Sequence, residues 1–341
     1  MEVALFESVK RVLIVKPSSL GDIVHSLPFL NALKNRFPCA EVDWIVARGL
    51  HPFLDGHPMI HRLWIINKDR WKDLKRLKET SVEIRQLAVG LKKRRYDVAV
   101  DLSGILRSGL LTYISRAPIR IGFKESDEGS PFFYTHKIHG SMGIHAIDRY
   151  LKIAAFIGCS TGSVEYPMPE FQLAGHIAEK LPRKYAVISP SAGKEANRWP
   201  AERFGELAAR LPVPAVVISS AKEAFIADEV VKHSRGNALS VAGETRLTDL
   251  FGVISGASFF ISNDTGPMHI AAAANVPVFA VFGPANPGRT GPYGNIHTVI
   301  QKSFDCIPCY AQKPCKAYNF RCMYQLEVDD VLNTIQKNID L

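Results

Sequence analysis

Two short apolar runs, far apart in the chain, are each followed by a polar loop and then by a helical pattern. The first run, 12–15, leads through Lys-Pro-Ser-Ser-Leu-Gly to Asp22. The second run, 259–261, leads through Ser-Asn to Asp264. This order predicts strand, loop and helix, and in open α/β sheets ligands bind at the carboxyl ends of the strands. We therefore expect two ligand-binding halves.

Short apolar runs alternate with helical patterns through both halves, which predicts βαβ units and two doubly wound α/β domains in tandem. A turn-rich stretch at 158–169 separates them. We expect an N-terminal domain over 1–165, a C-terminal domain over 166–325, and a last helix over 326–341 that packs back on the N-terminal domain. Residues 118–143 are rich in Gly, Ser, Phe and His, and are expected to form one long irregular loop.

Charge and hydropathy limit the class of protein. The 341 residues carry a formal net charge of +9. No apolar run approaches the roughly 18 residues that span a membrane. The first ten residues hold two acids and lack the basic start of a secretory signal, so we expect a cytoplasmic protein. The basic clusters at 70–78 and 92–95 suit an anionic membrane surface, and equally suit ordinary solvated helix faces.

Asp22 is the first candidate for chemistry. A carboxylate in a strand-end loop can act as a general base when it lies within hydrogen-bond reach of the proton that it removes. The same residue type is also among the best caps for the helix that follows. Ser18, Ser19 and Gly21 offer hydroxyl donors and close backbone approach, or simply an ordinary turn.

The second motif opens a helix packed by alanines. Free backbone N–H groups at a helix N-terminus bind anions, so a diphosphate fits there, with Thr265 donating and Gly266 allowing close approach. Asp264 would repel phosphate and is better suited to accept hydrogen bonds from sugar hydroxyls. His269 follows in the first turn. The alternative is an Asp-capped helix in a tight sheet–helix contact.

A third loop, after the apolar run 185–188, carries Lys194, Asn197 and Arg198 ahead of a helix. Its cations would neutralise a diphosphate leaving group. The loop lacks the glycine spacing of a P-loop and of the common dinucleotide-binding turn.

Four of the six cysteines lie close together near the C-terminus. Four thiolates in so short a span can bind zinc or iron tetrahedrally as a structural site. A loop of reduced, buried cysteines is the alternative, and a reducing cytosol disfavours disulfides. The residues of this candidate metal site are Cys306, Cys309, Cys315 and Cys322.

Together these motifs resemble glycosyltransferase family 9, the heptosyltransferases. Residues 12–28 (VLIVKPSSLGDIVHSLP) are similar to the N-terminal motif of that family. Residues 263–269 (NDTGPMH) and 282–284 (FGP) are similar to its donor-site motif. Segments 101–108 and 145–149 fit its middle region. The resemblance extends over most of the chain.

The resemblance implies a GT-B architecture, with two Rossmann-like domains facing a central cleft. It implies transfer of L-glycero-D-manno-heptose from ADP-heptose to a Kdo residue of Kdo-lipid A, in lipopolysaccharide inner-core synthesis. The reaction would invert the anomeric centre and need neither metal nor another cofactor. It also implies a cytoplasmic protein in peripheral contact with the anionic inner face of the inner membrane, and no nucleic-acid partner.

By motif position, the resemblance makes Asp22 the general base that deprotonates the acceptor hydroxyl, and places Glu223 at the adenosine ribose. Asn197 departs from the family pattern, in which many members carry Lys, so Lys194 or Arg198 is expected to supply the phosphate charge. The expected donor residues are Lys194, Asn197, Arg198, Glu223, Asp264, Thr265, Gly266 and His269. The expected acceptor residues are Ser18, Ser19, Gly21, Lys68, Arg70, Arg107, Arg120 and Lys124.

Two alternatives remain open at this stage. One is a family relative with a different acceptor, either a second core heptose or a protein hydroxyl. The other is a non-catalytic module that binds nucleotides or nucleic acid. In that module Asp22 would be dispensable and nucleic-acid affinity would depend strongly on salt.

Overall fold

The contacts of the chain divide it into two compact units. The computed structural model describes residues 6–72, 74–310, 315 and 320–339. The first unit is Met1–Glu170 and the second is Phe171–Leu341, so the division falls slightly after the expected boundary. The first five residues, half of the stretch examined for a secretory signal, lie outside the described residues.

An all-parallel sheet of six strands forms the centre of the first unit. Its strand order is β3-β2-β1-β4-β5-β6. Successive strands are added on one side of β1 up to β3, and then on its other side from β4 onward, so the order reverses between β1 and β4. This is the doubly wound arrangement that the alternating sequence pattern predicts. The strands are β1 (Arg11–Val15), β2 (Glu41–Ala47), β3 (Arg62–Ile66), β4 (Val98–Asp101), β5 (Ile119–Phe123) and β6 (His136–Ile138).

Among the described residues of this unit, four helices flank the sheet. The helices are α1 (Leu20–Arg36), α2 (Leu77–Arg94), α3 (Leu106–Ile114) and α4 (Ala146–Phe156). Helices α1 and α4 pack against each other. On one face of the sheet, Leu87 and Leu91 of α2 and Leu111 of α3 share a core with Leu13 and Val15 of β1. Helices α2 and α3 therefore form one layer.

The expectation of one irregular loop over 118–143 is wrong, because this stretch contains β5, β6 and a 3-10 turn at Ser130–Phe133. Apolar residues alternate within β5 at 119, 121 and 123, but the strand has only five residues. A side chain at Gly122 would meet the Tyr134 ring, since an added Cβ would lie 2.3 Å from Cε2. The glycine is therefore a packing requirement within a strand rather than a loop signal.

The sheet of the second unit repeats the first. Its order, β12-β11-β10-β7-β8-β9, gives the same arrangement when the strands are counted from β7, and all pairs are parallel. The two tandem doubly wound α/β domains are thus confirmed. The strands are β7 (Ala186–Ser189), β8 (Ala215–Val217), β9 (Ala238–Ser240), β10 (Phe259–Asn263), β11 (Val278–Phe282) and β12 (Thr298–Gln301).

Some of the helices of the second unit share a core with its sheet. They are α5 (Gly175–Ala178), α6 (Ala201–Ala208), α7 (Ala224–His233), α8 (Leu247–Ser255), α9 (Gly266–Ala273), α10 (Pro287–Thr290), α11 (Arg321–Tyr324) and α12 (Val328–Asn338). None of the described helices in either unit is long and apolar enough to cross a bilayer.

The C-terminal helix packs within the second unit, and its expected packing on the N-terminal domain stays a prediction. Helix α12 packs against α6, and its Val331, Leu332 and Ile335 lie in the core of the second unit. These apolar residues recur at helical spacing and form the buried face of α12.

Candidate functional site

Both carboxylates that the sequence singles out lie where the strand order of their sheet reverses. Asp22 follows β1, which pairs with β4 at the reversal. Asp264 follows β10, which pairs with β7 at the corresponding point of the second sheet. The crossovers on the two sides of such a point leave a crevice at the carboxyl ends of the strands. Each unit therefore has one candidate ligand site.

Asp22 is the third residue of α1, and Ser19 is the residue that precedes the helix. The Asp22 Oδ2 atom accepts from the Ser19 N–H at 2.9 Å and from its hydroxyl at 2.8 Å. Asp22 is therefore not the cap itself but its reciprocal partner. Its side chain remains 38% exposed, so the carboxylate is oriented and still accessible.

A buried lysine faces the other oxygen of this carboxylate. Lys16 Nζ lies 3.2 Å from Asp22 Oδ1, and the hydroxyl of Tyr150, from α4, lies 3.4 Å from the same atom. Burial acts to raise the pKa of Asp22, but the charge of Lys16 and the bonds from Ser19 outweigh it and lower that pKa. Burial likewise acts to lower the pKa of Lys16, and Asp22 and Tyr150 outweigh it and raise it. Asp22 is therefore an ionised acceptor at neutral pH.

Lys16 and Tyr150 were missed as site residues by the sequence reasoning. Lys16 had a usable signal, because it is a cation directly after the apolar run 12–15, in the loop that carries Asp22. Tyr150 had none, because its contact with Asp22 joins residues 128 positions apart.

Several of the predicted acceptor residues lie in segments that follow the carboxyl ends of β1, β3 and β4. Lys68 Nζ donates to Ser18 Oγ at 2.9 Å, which brings the loop after β3 to the loop after β1. Arg70 lies in the turn after β3, where its guanidinium is 3.7 Å from the Glu79 carboxylate. Arg107 lies in the first turn of α3, which follows β4, the strand beside β1. Gly21 is buried in the first turn of α1.

Arg120 and Lys124 lie at opposite ends of β5. The Arg120 guanidinium donates to the carbonyl of Phe133 at 2.8 Å and to that of Ala117, which precedes the strand, at 2.7 Å. The structure therefore does not bring Arg120 to the carboxyl edge. Lys124 directly follows the strand and is exposed at that edge.

Asp264 in the second unit has a different environment. The Asn197 amide nitrogen lies 3.3 Å from Asp264 Oδ2. Burial raises the pKa of Asp264 to about 6, and the positive charge of Lys194 acts against that rise. Lys194 Nζ itself donates to the carbonyl of Tyr310 at 2.9 Å. The neighbour in direct contact with Asp264 is thus neutral and the cation is more distant.

Asn263 fixes the loop after β7 against the end of β10. Its side-chain nitrogen donates to the Pro190 carbonyl at 2.6 Å, and its oxygen accepts from the Trp199 N–H at 2.9 Å. Asn263 is fully buried. The loop that carries Lys194 and Asn197 is therefore held in register with Asp264. The sequence reasoning quoted Asn263 only as part of a motif and missed this role.

Arg198 and Glu223 form an ion pair with each other. Arg198 Nη2 lies 2.6 Å from Glu223 Oε1, and Arg198 Nε donates to the Ala192 carbonyl at 2.9 Å. Ser220 Oγ donates to the other Glu223 oxygen at 3.2 Å. Because Glu223 neutralises Arg198, Lys194 is the better candidate for a cation that meets a phosphate.

The amino terminus of α9 lies directly after Asp264. Thr265 precedes the helix in an extended conformation, with φ −151°, and makes no side-chain capping bond. Gly266 is the first residue of α9, and His269 is buried in its first turns. Backbone N–H groups at such a terminus provide donors for an anion.

The four clustered cysteines line one cavity of about 20 Å³, together with Phe304 and Phe320. Within residues 6–72, 74–310, 315 and 320–339, no group of three or more His, Cys, Asp or Glu side chains could hold a metal ion. Burial, with the neighbouring thiols, raises the pKa of Cys322 to about 11. The structural metal site expected from the spacing is not supported.

Comparison with known proteins identifies the family. The family model for glycosyltransferase family 9 (heptosyltransferase) matches residues 84–319. The lipopolysaccharide heptosyltransferase 1 of Pseudomonas aeruginosa is 31% identical, over 89% of this chain and 87% of its own. Lipopolysaccharide heptosyltransferase 2 of Salmonella typhimurium is 26% identical, over 85% of this chain and 88% of its own.

Solved structures agree with this assignment. The E. coli heptosyltransferase WaaC with ADP has a TM-score of 0.79 and 26% identity, covering 96% of this chain and 100% of that chain. With ADP-2-deoxy-2-fluoro heptose, the same protein has a TM-score of 0.77 and 25% identity over the same shares. The α/β fold class expected from the resemblance is confirmed.

Proposed function

Because this chain belongs to glycosyltransferase family 9, the heptosyltransferases, we propose that it transfers L-glycero-D-manno-heptose from ADP-heptose to a Kdo residue of Kdo-lipid A. The likeness to lipopolysaccharide heptosyltransferase 1 supports the acceptor, and the likeness to a heptosyltransferase solved with an ADP-heptose analogue supports the donor. The observation that carries the proposal is the ionised, accessible carboxylate of Asp22 at the reversal point of the first sheet.

Asp22 acts in this proposal as the general base. Its carboxylate takes the proton of the acceptor hydroxyl as that oxygen forms a bond to the anomeric carbon of the heptose. The bond from that carbon to the diphosphate breaks in the same step, ADP leaves with the electron pair, and the configuration inverts. Lys16 and Ser19 keep the carboxylate ionised and oriented before the reaction.

The donor half would stabilise the leaving ADP without a metal. Lys194 and the N–H groups at the start of α9 would meet the developing diphosphate charge. Asp264 would accept hydrogen bonds from heptose hydroxyls. Glu223 would hold the ribose, and Arg198 would position Glu223.

The test is incubation of the protein with ADP-heptose and Kdo-lipid A, scored by product mass and by NMR of the new glycosidic bond. We expect addition of one heptose with inverted configuration, undiminished by EDTA. Hydrolysis of ADP-heptose without transfer, or no reaction at all, would contradict the proposal. Loss of transfer in EDTA that added metal restores would contradict its metal-independent form.

A second core heptose is the alternative acceptor, since lipopolysaccharide heptosyltransferase 2 is also among the relatives. Offering Kdo-lipid A and its singly heptosylated form in competition separates the two. We expect preferential use of the unheptosylated acceptor. The reverse preference would place the chain with the second type of enzyme.

We also propose that the protein works at the cytoplasmic face of the inner membrane as a peripheral protein. The proposed acceptor carries lipid chains, so the reacting sugar is presented at a lipid surface. The net charge of +9 favours approach to anionic lipid.

A further inference from the structure

Helix α3 presents an apolar stripe to solvent. Leu106, Leu110 and Tyr113 are all exposed, and their spacing of four and three residues places them on one side of the helix. Ile105, directly before the helix, is exposed as well. Leu111, on the opposite side, is buried against the sheet. The helix is therefore apolar on both its inner and its outer side.

A phenylalanine extends this stripe. Phe132 is 89% exposed on the 3-10 turn Ser130–Phe133, which packs against α3. The approach is close, since a Cβ added at Gly109 would lie 2.9 Å from the Phe133 ring and 3.0 Å from the Ser130 Cβ. Phe132 is thus held beside α3 on an ordered turn. We call Ile105, Leu106, Leu110, Tyr113 and Phe132 the α3 patch.

Helix α2, in the same layer, presents cations on its outer face. Lys78, Arg85, Lys92 and Lys93 are exposed there, as are Val82 and Val89 between them. Among the acidic residues near the layer, Glu79 pairs with Arg70. The remaining acids, Glu83, Asp127 and Glu128, keep their negative charge but are outnumbered by the exposed cations of α2. The outer surface therefore combines apolar side chains with an excess of positive charge.

This layer begins beside the Asp22 site. Lys16 Nζ donates to the carbonyl of Leu102 at 3.1 Å, and α3 starts shortly after that residue. The loop after β5 is bound to the same segment, because the Asp127 N–H donates to the Gly104 carbonyl at 2.8 Å. If the α3 patch contacts a surface, an acceptor sugar that this surface carries lies close to the carboxyl edge of the sheet, where Asp22 is.

We propose that the α2–α3 layer is the face by which this chain lies on an anionic lipid bilayer. The α3 patch enters the boundary between headgroups and acyl chains, and the cations of α2 contact the headgroups. The proposal rests on the proposed function in one respect, because a lipid-borne acceptor is what makes docking beside Asp22 useful.

The test is cosedimentation of the full chain with vesicles, without donor or acceptor, so that its outcome does not depend on transfer activity. Vesicles of phosphatidylethanolamine with phosphatidylglycerol are compared with phosphatidylcholine vesicles. We expect binding to the anionic vesicles only. The double variant Leu106→Ser/Phe132→Ser is expected to bind about tenfold or more weakly, the scale of losing buried apolar area.

Phe225→Ser is the matched control, because Phe225 is 66% exposed but lies in the second unit. It should bind vesicles as the wild type does. In Phe132→Trp, tryptophan emission should shift to the blue with anionic vesicles, which reports insertion without loss of a side chain. No binding by the wild type, equal loss in Phe225→Ser, or wild-type binding by the double variant would overturn the proposal. A wild-type dimer that the double variant converts to monomer would overturn it too, in favour of contact between copies.

Discussion

Asp22 and Asp264 both lie where the strand order of their sheet reverses, Asp22 after the first strand of its unit and Asp264 after the fourth, yet their pKa values shift in opposite directions. The pKa of Asp22 is lowered, since Lys16 and Ser19 outweigh the effect of burial. Burial raises the pKa of Asp264 to about 6, because its contact is the neutral amide of Asn197 and Lys194 opposes the rise only in part.

The comparison shows that the fold places a carboxylate at the carboxyl edge of each sheet. The neighbouring groups then set its pKa, and with it the chemistry that it can perform. Two carboxyl groups whose environments push their pKa values apart are a common basis for divided roles in one enzyme. In this chain, the ionised Asp22 suits proton removal. Asp264, which titrates near neutrality, suits hydrogen bonding to a sugar. The four predictions below test that division.

The largest effect is expected for Asp22→Asn. The amide cannot take the acceptor proton, so kcat should fall at least about a hundredfold, the scale of general base catalysis. Binding of ADP-heptose, measured by calorimetry, should be unchanged. Asp55→Asn, an exposed acid of the same unit, serves as control and should keep wild-type turnover. Near-normal turnover in Asp22→Asn would contradict the assignment of Asp22 as the general base.

Asp264→Asn should act mainly on the donor. The lost charged hydrogen bonds are expected to raise KM for ADP-heptose about tenfold, with a smaller change in kcat. In the wild type, donor affinity should fall as the pH drops through about 6, where Asp264 gains its proton. The variant should show no such bend. If donor affinity in the variant still bends at the same pH, the bend belongs to a group other than Asp264.

Lys16→Met tests the cation beside Asp22. Without that charge the pKa of Asp22 rises, so a larger fraction of the carboxylate is protonated at low pH. The acid limb of the kcat/KM profile should therefore move up by about one pH unit or more. Lys10→Met, at an exposed position before the same strand, should leave the profile in place. An unmoved acid limb in Lys16→Met would show that Lys16 does not set the ionisation of Asp22.

The smallest effect is expected for Asn197→Lys, which gives Asp264 the kind of partner that Asp22 has. A cation near Asp264 Oδ2 should lower the pKa of Asp264, so the bend in donor affinity should move below pH 6. Donor affinity at neutral pH should change by only a few-fold, since Asp264 is already mostly ionised there. A bend that stays near its wild-type pH would contradict the account of Asp264.

The sequence was sufficient for features that depend on local pattern. The apolar runs before Asp22 and Asp264 predicted the strands that carry them, and the repeated alternation predicted two doubly wound units. Lys68, expected among the acceptor residues, contacts Ser18 in the loop that carries Asp22, and its part in acceptor binding stays a prediction. These successes follow from the position of loops at strand ends, which is local information.

Features that depend on distant contacts were not predictable in this way. The partners of Asp22 include Tyr150, which only the packing of α1 against α4 brings near. Arg120 was expected to be an acceptor cation. Its guanidinium instead donates to two main-chain carbonyls, away from the carboxyl end of β5. The sequence of α12 shows an apolar face but not which domain buries it. The structure shows that this face lies in the core of the second unit.

One paired measurement tests the division between the two carboxylates most directly: donor affinity and single-turnover rate, determined together for Asp22→Asn and Asp264→Asn. The account predicts that Asp22→Asn keeps donor affinity and loses the rate, whereas Asp264→Asn loses donor affinity and keeps most of the rate at saturating donor. Loss of the same quantity in both variants would contradict it.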